Sequence, residues 1–97
     1  QGDRWTTFTP PAAKRFRRYR GRFLHRRLYL TRSGVIKVNW HLIEAPKAVL
    51  EYVVLHELSH SAHRNHTPEF WALIAKHMPD YPARKRWLEN MMPSFKL

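Results

Sequence analysis

The chain has 97 residues, which is enough for one domain and too few for two. It has no cysteine, which excludes disulfides, a cysteine nucleophile and thiolate metal ligands. Its formal net charge of +11 is concentrated near the start, because residues 1–32 carry ten Lys and Arg against one acid, whereas residues 33–97 carry eight against six.

The basic residues of the first third favour an anionic partner, and we expect nucleic acid or a phosphate-bearing molecule rather than a membrane. No apolar run approaches the roughly 20 residues that a transmembrane helix needs. No signal-peptide pattern opens the sequence, which favours a cytoplasmic protein. The first residue is Gln1 rather than Met, so a natural start ahead of it is left open, as is the oligomeric state.

The first predicted elements form a small sheet. Residues 1–13 contain a Pro-Pro pair and no sustained periodicity, so they are predicted to be a loop. Residues 27–30 alternate in a way that is typical of a strand, and the Ser-Gly pair at 33–34 predicts a turn. Residues 35–38 predict a second strand, so that the two strands form a β-hairpin.

Three helices are predicted after the hairpin. Residues 46–62 open with a proline and repeat apolar positions at helical spacing. Thr67, followed by a proline and an acid, is a favourable start for a helix over residues 69–77. A last helix is predicted at about 81–91. The sequence therefore predicts one α+β domain over 1–97, in which a small antiparallel sheet precedes three helices.

The most informative residues form an H-E-x-x-H motif within the first predicted helix, His56-Glu57-Leu58-Ser59-His60. Side chains four residues apart lie on one face of a helix, so the two imidazoles can converge on one metal ion. Glu57 points to the neighbouring side and can reach a metal-activated water without binding the metal. The motif therefore predicts metal-assisted hydrolysis with Glu57 as the general base. Histidine ligands favour zinc, with iron or nickel as alternatives.

A catalytic zinc site needs three protein ligands, so one more residue must come from outside the motif. We favour His66, which follows a polar turn after the helix and can fold back towards the first two histidines. His63 is an alternative if the helix continues, and Glu69 is an alternative carboxylate ligand. The spacing also matches the metzincin pattern, but His63 occupies its glycine position, which argues against that group. Phe70 and Trp71, in the next predicted helix, have the helical spacing of residues that pack in the core.

The sequence around the motif resembles the YgjP-like family of small metal-dependent hydrolases, which is related to the WLM and SprT-like zinc peptidases. The resemblance covers about residues 34–90. Six stretches carry it, which are GVIKVNWHL at 34–42, AP at 45–46, EYVVLHELSH at 51–60, NHTPEFW at 65–71, PDY at 79–81 and RWL at 86–88. It implies a zincin-like fold with zinc ligands His56, His60 and His66, and a catalytic role for Glu57.

The front of the chain departs from this family. Where such families usually carry an Arg-Trp-Gly-Ser-Cys-like segment, residues 27–31 read Arg-Leu-Tyr-Leu-Thr.

We expect a zinc-dependent hydrolase, and a peptide bond is the favoured target. The alternatives are hydrolysis of a phosphate-containing, nucleotide-like substrate and a non-catalytic nucleic-acid-binding module with structural zinc. Both would use the arginines and aromatic residues of 14–27. Tyr29 and Arg32 are candidates for an oxyanion or general-acid donor, and the sequence does not choose between them.

Overall fold

A four-stranded antiparallel sheet precedes three helices in the computed structural model, which describes residues 5–9, 14, 16–25, 28–39 and 45–93. The strands are β1 (Trp5–Phe8), β2 (Arg22–His25), β3 (Leu28–Leu30) and β4 (Ile36–Asn39), and the helices are α1 (Lys47–Ala62), α2 (Pro68–His77) and α3 (Tyr81–Met91). A single turn of 3-10 helix at Arg17–Tyr19 comes before β2. This arrangement confirms the predicted α+β class.

The sheet has the strand order β1-β4-β3-β2, and every neighbouring pair is antiparallel. In β3 and β4, Leu28 lies opposite Val38 and Leu30 opposite Ile36. These four side chains are at most 2% exposed, whereas Tyr29 between them is half-buried. Because side chains alternate between the faces of a strand, one face of the sheet contributes to the core and the other does not.

The predicted hairpin is formed by β3 and β4, and its turn depends on Gly34. The Gly34 N–H donates to the Thr31 carbonyl, and the Thr31 N–H donates to the Val35 carbonyl. Gly34 has a φ of +90°, and a Cβ placed there would lie 2.7 Å from the guanidinium of Arg20. The backbone angle therefore favours glycine at this position, whereas the Arg20 side chain could move aside for a Cβ.

The loop predicted for residues 1–13 is wrong at β1, which pairs with β4 from Trp5 opposite Asn39 to Phe8 opposite Ile36. The residues of β1 are aromatic or β-branched and suit a strand. A run of four residues shows no period of its own, and its partner strand lies far along the chain. Apart from Thr9, the remaining residues of 1–13 lie outside the described part of the chain.

The central element is α1, which begins directly after Pro46 and is buried over most of its length. It contacts α2, α3 and β2, so few of its sides face water. This explains why apolar residues occupy seven of the ten positions from Val49 to Leu58 rather than a single stripe. None of the helices in the described part of the chain has the length and apolar character that a membrane crossing requires.

Helices α2 and α3 are fixed by local polar contacts. The Thr67 hydroxyl accepts a hydrogen bond from the backbone N–H of Phe70 at 3.3 Å, so the predicted cap of α2 is confirmed. Arg84 of α3 donates to the Ala48 carbonyl at 3.0 Å and to the Glu51 carboxylate at 3.2 Å. The guanidinium thereby ties α3 to the first turns of α1.

Candidate metal centre

Helix α1 holds His56, Glu57 and His60 in the positions that an H-E-x-x-H motif requires. His56 and Glu57 are buried, with 3% and 6% of their surface exposed, and His60 is half-buried. The ring centroids of His56 and His60 lie 4.7 Å apart, as expected for side chains one turn apart on the same face. The helix backbone therefore sets the spacing of two imidazoles before any metal binds.

His66 reaches the same place from the segment that connects α1 and α2. Helix α1 ends at Ala62, and residues 63–67 turn the backbone before α2 begins. The Nε2 atoms of His66 and His60 are 3.1 Å apart, and the ring centroids of His66 and His56 are 5.4 Å apart. One ligand atom from each of the three histidines lies within 4.8 Å of the others.

The two alternative ligands are placed differently. His63 caps the C-terminal end of α1, and its carbonyl lies 3.3 Å from Nδ1 of His60. When Nδ1 donates its proton to this carbonyl, Nε2 of His60 is left with a lone pair facing His66. Glu69 is exposed in the first turn of α2, where backbone hydrogen bonding and the Thr67 hydroxyl lower the pKa of its carboxyl. Neither residue joins the group, although the role of its three histidines as ligands stays a prediction.

The three imidazoles fit a metal ion. Two nitrogen ligands at 2.0–2.1 Å from a tetrahedral zinc lie about 3.3 Å apart, close to the 3.1 Å between His60 and His66. Nδ1 of His56 and Oε2 of Glu57 are buried and have no hydrogen-bond partner among the described residues, and they lie 3.7 Å from each other. Desolvation and the imidazoles of His60 and His56 lower the pKa of His66, which favours the neutral form that binds metals.

Aromatic rings from α2 support the histidines. Phe70 is fully buried, and its ring centroid lies 5.1, 4.5 and 4.9 Å from those of His56, His60 and His66. Trp71 stacks on His66 with a centroid distance of 5.5 Å and an interplanar angle of 22°. Phe70 is thus the core residue that its spacing predicts. The contact of half-buried Trp71 with the third histidine was not predicted, since helical spacing alone does not reveal what a loop places against the helix.

A pocket of about 210 Å³ opens beside this group. One wall comes from α1 and the other from the basic segment around β2. The lining residues are Glu57, His60 and Ser61 on the first wall and Tyr19, Arg22 and Phe23 on the second. The residues of the second wall belong to the segment 14–27, which the sequence predicts as a candidate contact for nucleic acid or phosphate rather than as part of the metal site. In the sequence this segment is marked by arginines alternating with aromatic residues. That pattern does not show which other element the segment packs against.

The two candidates for a donor to the substrate lie elsewhere. The Tyr29 ring packs on Phe23 with a centroid distance of 4.8 Å. Arg32 is exposed, and its side chain passes beside Gly21. Neither Tyr29 nor Arg32 lines the pocket that contains Glu57. Arg22 is the cationic side chain that lines it.

Comparison with known proteins identifies the family. A family model described as YgjP-like, metallopeptidase domain, matches residues 28–91, which are about two thirds of the chain. No curated protein and no solved structure gives a significant match. Together with the histidine group, the family match indicates a metal-dependent hydrolase. The chain belongs to the YgjP-like family of metallopeptidase domains.

Proposed function

We propose that the protein is a zinc-dependent metallopeptidase in which His56, His60 and His66 bind the metal and Glu57 is the general base. The observation that carries the proposal is the convergence of three imidazoles, with ligand atoms within 4.8 Å of one another, beside a buried carboxylate. Glu57 and His60 line the same pocket, so the base and one ligand face the same space. Membership of a metallopeptidase family supports a peptide bond as the target.

The residues around the pocket have separate tasks in this mechanism. The His63 carbonyl orients His60 by accepting from Nδ1, which directs Nε2 towards the metal position. Zinc bound there would supply a Lewis acid and lower the pKa of a water molecule to about 7. Glu57 accepts a proton from water in the pocket and delivers it to the leaving amine. Since Oε2 of Glu57 has no hydrogen-bond partner among the described residues, its lone pairs are available for that proton.

A zinc titration tests the ligand assignment. We expect the chelator-stripped wild-type protein to bind about one zinc ion per chain in calorimetry. The His66→Ala variant should bind more than about 100-fold more weakly, because an imidazole ligand is lost outright. His63→Ala is the matched control and should keep its affinity within about threefold, because His63 contributes its backbone carbonyl rather than its ring. Equal affinities of the wild-type protein and His66→Ala would contradict the assignment.

A second candidate role, binding of nucleic acid, is favoured by the unbalanced charge of the basic segment. Three of the described acids form ion pairs with basic residues of α3: Glu51 and Asp80 pair with Arg84, and Glu89 pairs with Lys85. In the described part of the chain, no carboxylate pairs with the arginines near β2, which are Arg17, Arg18, Arg20, Arg22 and Arg32. The exposed cations among them, Arg17, Arg18, Arg22 and Arg32, are therefore available to phosphate groups.

Salt dependence measures this role. If the segment contacts the phosphates of single-stranded RNA or DNA, the logarithm of the association constant should fall linearly with the logarithm of the salt concentration. The slope should be about −0.7 for each phosphate contacted. Fluorescence anisotropy with a labelled oligonucleotide at several salt concentrations gives that slope. A slope near zero, or no binding at low salt, would rule out this role for the segment.

A further inference from the structure

The geometry points to Arg22 and Phe23 as a recognition site for an acidic side chain of a peptide substrate. The site would hold a Glu or Asp residue of the peptide in the pocket that contains Glu57. Arg22 would then be the residue that determines specificity. This inference rests on the proposed peptidase function, because it names the class of peptide that the same pocket accepts.

The position of the pocket carries the first step. Strand β2 contacts α1, and its residues Arg22 and Phe23 line one cavity with the helix residues Glu57 and His60. Arg22 lies opposite the core residue Leu30 in the sheet, so its side chain is on the face that α1 covers. A group bound against Arg22 therefore shares a volume of about 210 Å³ with the proposed general base. A substrate residue anchored there lies within a few bonds of the peptide group that reacts.

The charge of the pocket carries the second step. Arg22 is exposed, and its guanidinium carbon lies 5.8 Å from the centroid of the Tyr19 ring. In the described part of the chain, no carboxylate pairs with it. A guanidinium held against an aromatic ring keeps its planar fork of donors free for a carboxylate. Glu57, on the opposite wall, is buried, so Arg22 is the charged group that an incoming side chain meets first.

The size and lining of the pocket select the ligand. Cavities that enclose whole small-molecule ligands measure roughly 300–1,000 Å³, and this pocket is smaller. Its lining offers one guanidinium, that of Arg22 against the Tyr19 ring, together with Phe23, which is 67% exposed. One cation next to apolar surface suits a single carboxylate on a short aliphatic stem. A polyphosphate would need several cations around it.

The test uses the zinc-loaded protein and fluorescein-labelled peptides that differ only in carrying Glu, Gln or Lys at one position. Anisotropy at about 150 mM salt, where long-range charge effects are screened, gives the affinities, and mass spectrometry of the same samples gives kcat/KM for cleavage. We expect the wild-type protein to prefer the Glu peptide over the Gln peptide by roughly tenfold, as for one hydrogen bond to a charged group. The Arg22→Gln variant should lose this preference. Its affinity and kcat/KM for the Gln peptide should equal those of the wild-type protein.

Arg17→Gln is the matched control, because Arg17 is exposed in the same segment but does not line the pocket. It should keep the preference for Glu. Equal loss in both variants, or no difference between Glu and Gln peptides, would overturn the inference. Cleavage without a Glu preference would leave the peptidase function standing, whereas Arg22-dependent binding without cleavage would support recognition and refute the peptidase function. Arg22-dependent hydrolysis of nucleoside phosphates, with no binding of the Glu peptide, would also overturn it.

Discussion

Replacing Glu57 by Gln should lower the turnover of a cleavable peptide by roughly 10²–10⁴-fold, the contribution of a positioned general base. The substitution preserves the shape of a side chain that is 6% exposed, so the fold should persist. It removes the carboxylate that accepts the proton but leaves the three histidines unchanged. Zinc affinity should therefore stay within about threefold of the wild-type value, since no ligand is altered. Steady-state kinetics and zinc calorimetry on the same preparation measure both quantities.

Glu51→Gln is the matched control for this experiment. Glu51 lies on the same helix, is half-buried and contacts Arg84 rather than the pocket. Its replacement should leave turnover within about twofold of the wild-type value. Glu51 does not line the pocket, and the effect of its charge on groups there is weakened by water and salt. If Glu57→Gln retains most of the turnover, Glu57 is not the base. If Glu57→Gln loses both turnover and zinc binding, Glu57 acts on the metal site itself.

Replacing Phe70 by Ala should reduce the free energy of unfolding by about 3–5 kcal/mol, the usual cost of removing a buried aromatic side chain. Phe70 is fully buried, and its ring lies within 5.1 Å of each of the three imidazole rings, measured between centroids. The lost ring would leave a cavity directly beneath the histidines. Denaturant unfolding of the metal-free protein measures the loss. Because zinc binds the folded state, added zinc should restore part of it.

Phe23→Ala removes the same atoms from an exposed position and is the control for stability. Phe23 is 67% exposed, so its replacement should change the free energy of unfolding by no more than about 0.5 kcal/mol. Similar losses for the two variants would show that burial at Phe70 is not the cause. A loss below about 1 kcal/mol for Phe70→Ala would contradict the packing described here.

The parts of the fold that the sequence predicts are those fixed by local chemistry. The hairpin follows from a Ser-Gly turn between two alternating runs, and Thr67 marks the start of α2 through its hydroxyl. The spacing of His56 and His60 follows from the helix repeat, and His66 was named because a polar turn can return the chain. Each of these inferences needs only neighbours within a few residues.

The parts that escaped prediction depend on contacts between distant segments. Strand β1 pairs with β4, and although its four residues suit a strand, a run this short has no period that would predict the pairing. The second wall of the pocket brings Arg22 opposite Glu57 across the packing of β2 on α1. The stacking of Trp71 on His66 likewise requires the turn between two helices. Sequence periodicity reports which side of an element is apolar, but it does not report which element that side meets.

The family match begins at residue 28, after β2 has ended. The histidines and Glu57 therefore lie within the part of the chain that matches the family model, whereas Arg22 and Phe23 lie ahead of it. In this mechanism the general base and two of the metal ligands lie on α1, whereas the residues of substrate preference lie on the edge strand β2, so a change in β2 can alter the preference without altering the reaction. A peptide substrate of another family member then tests whether the chain hydrolyses peptides, and substitutions in β2 test which peptides it prefers.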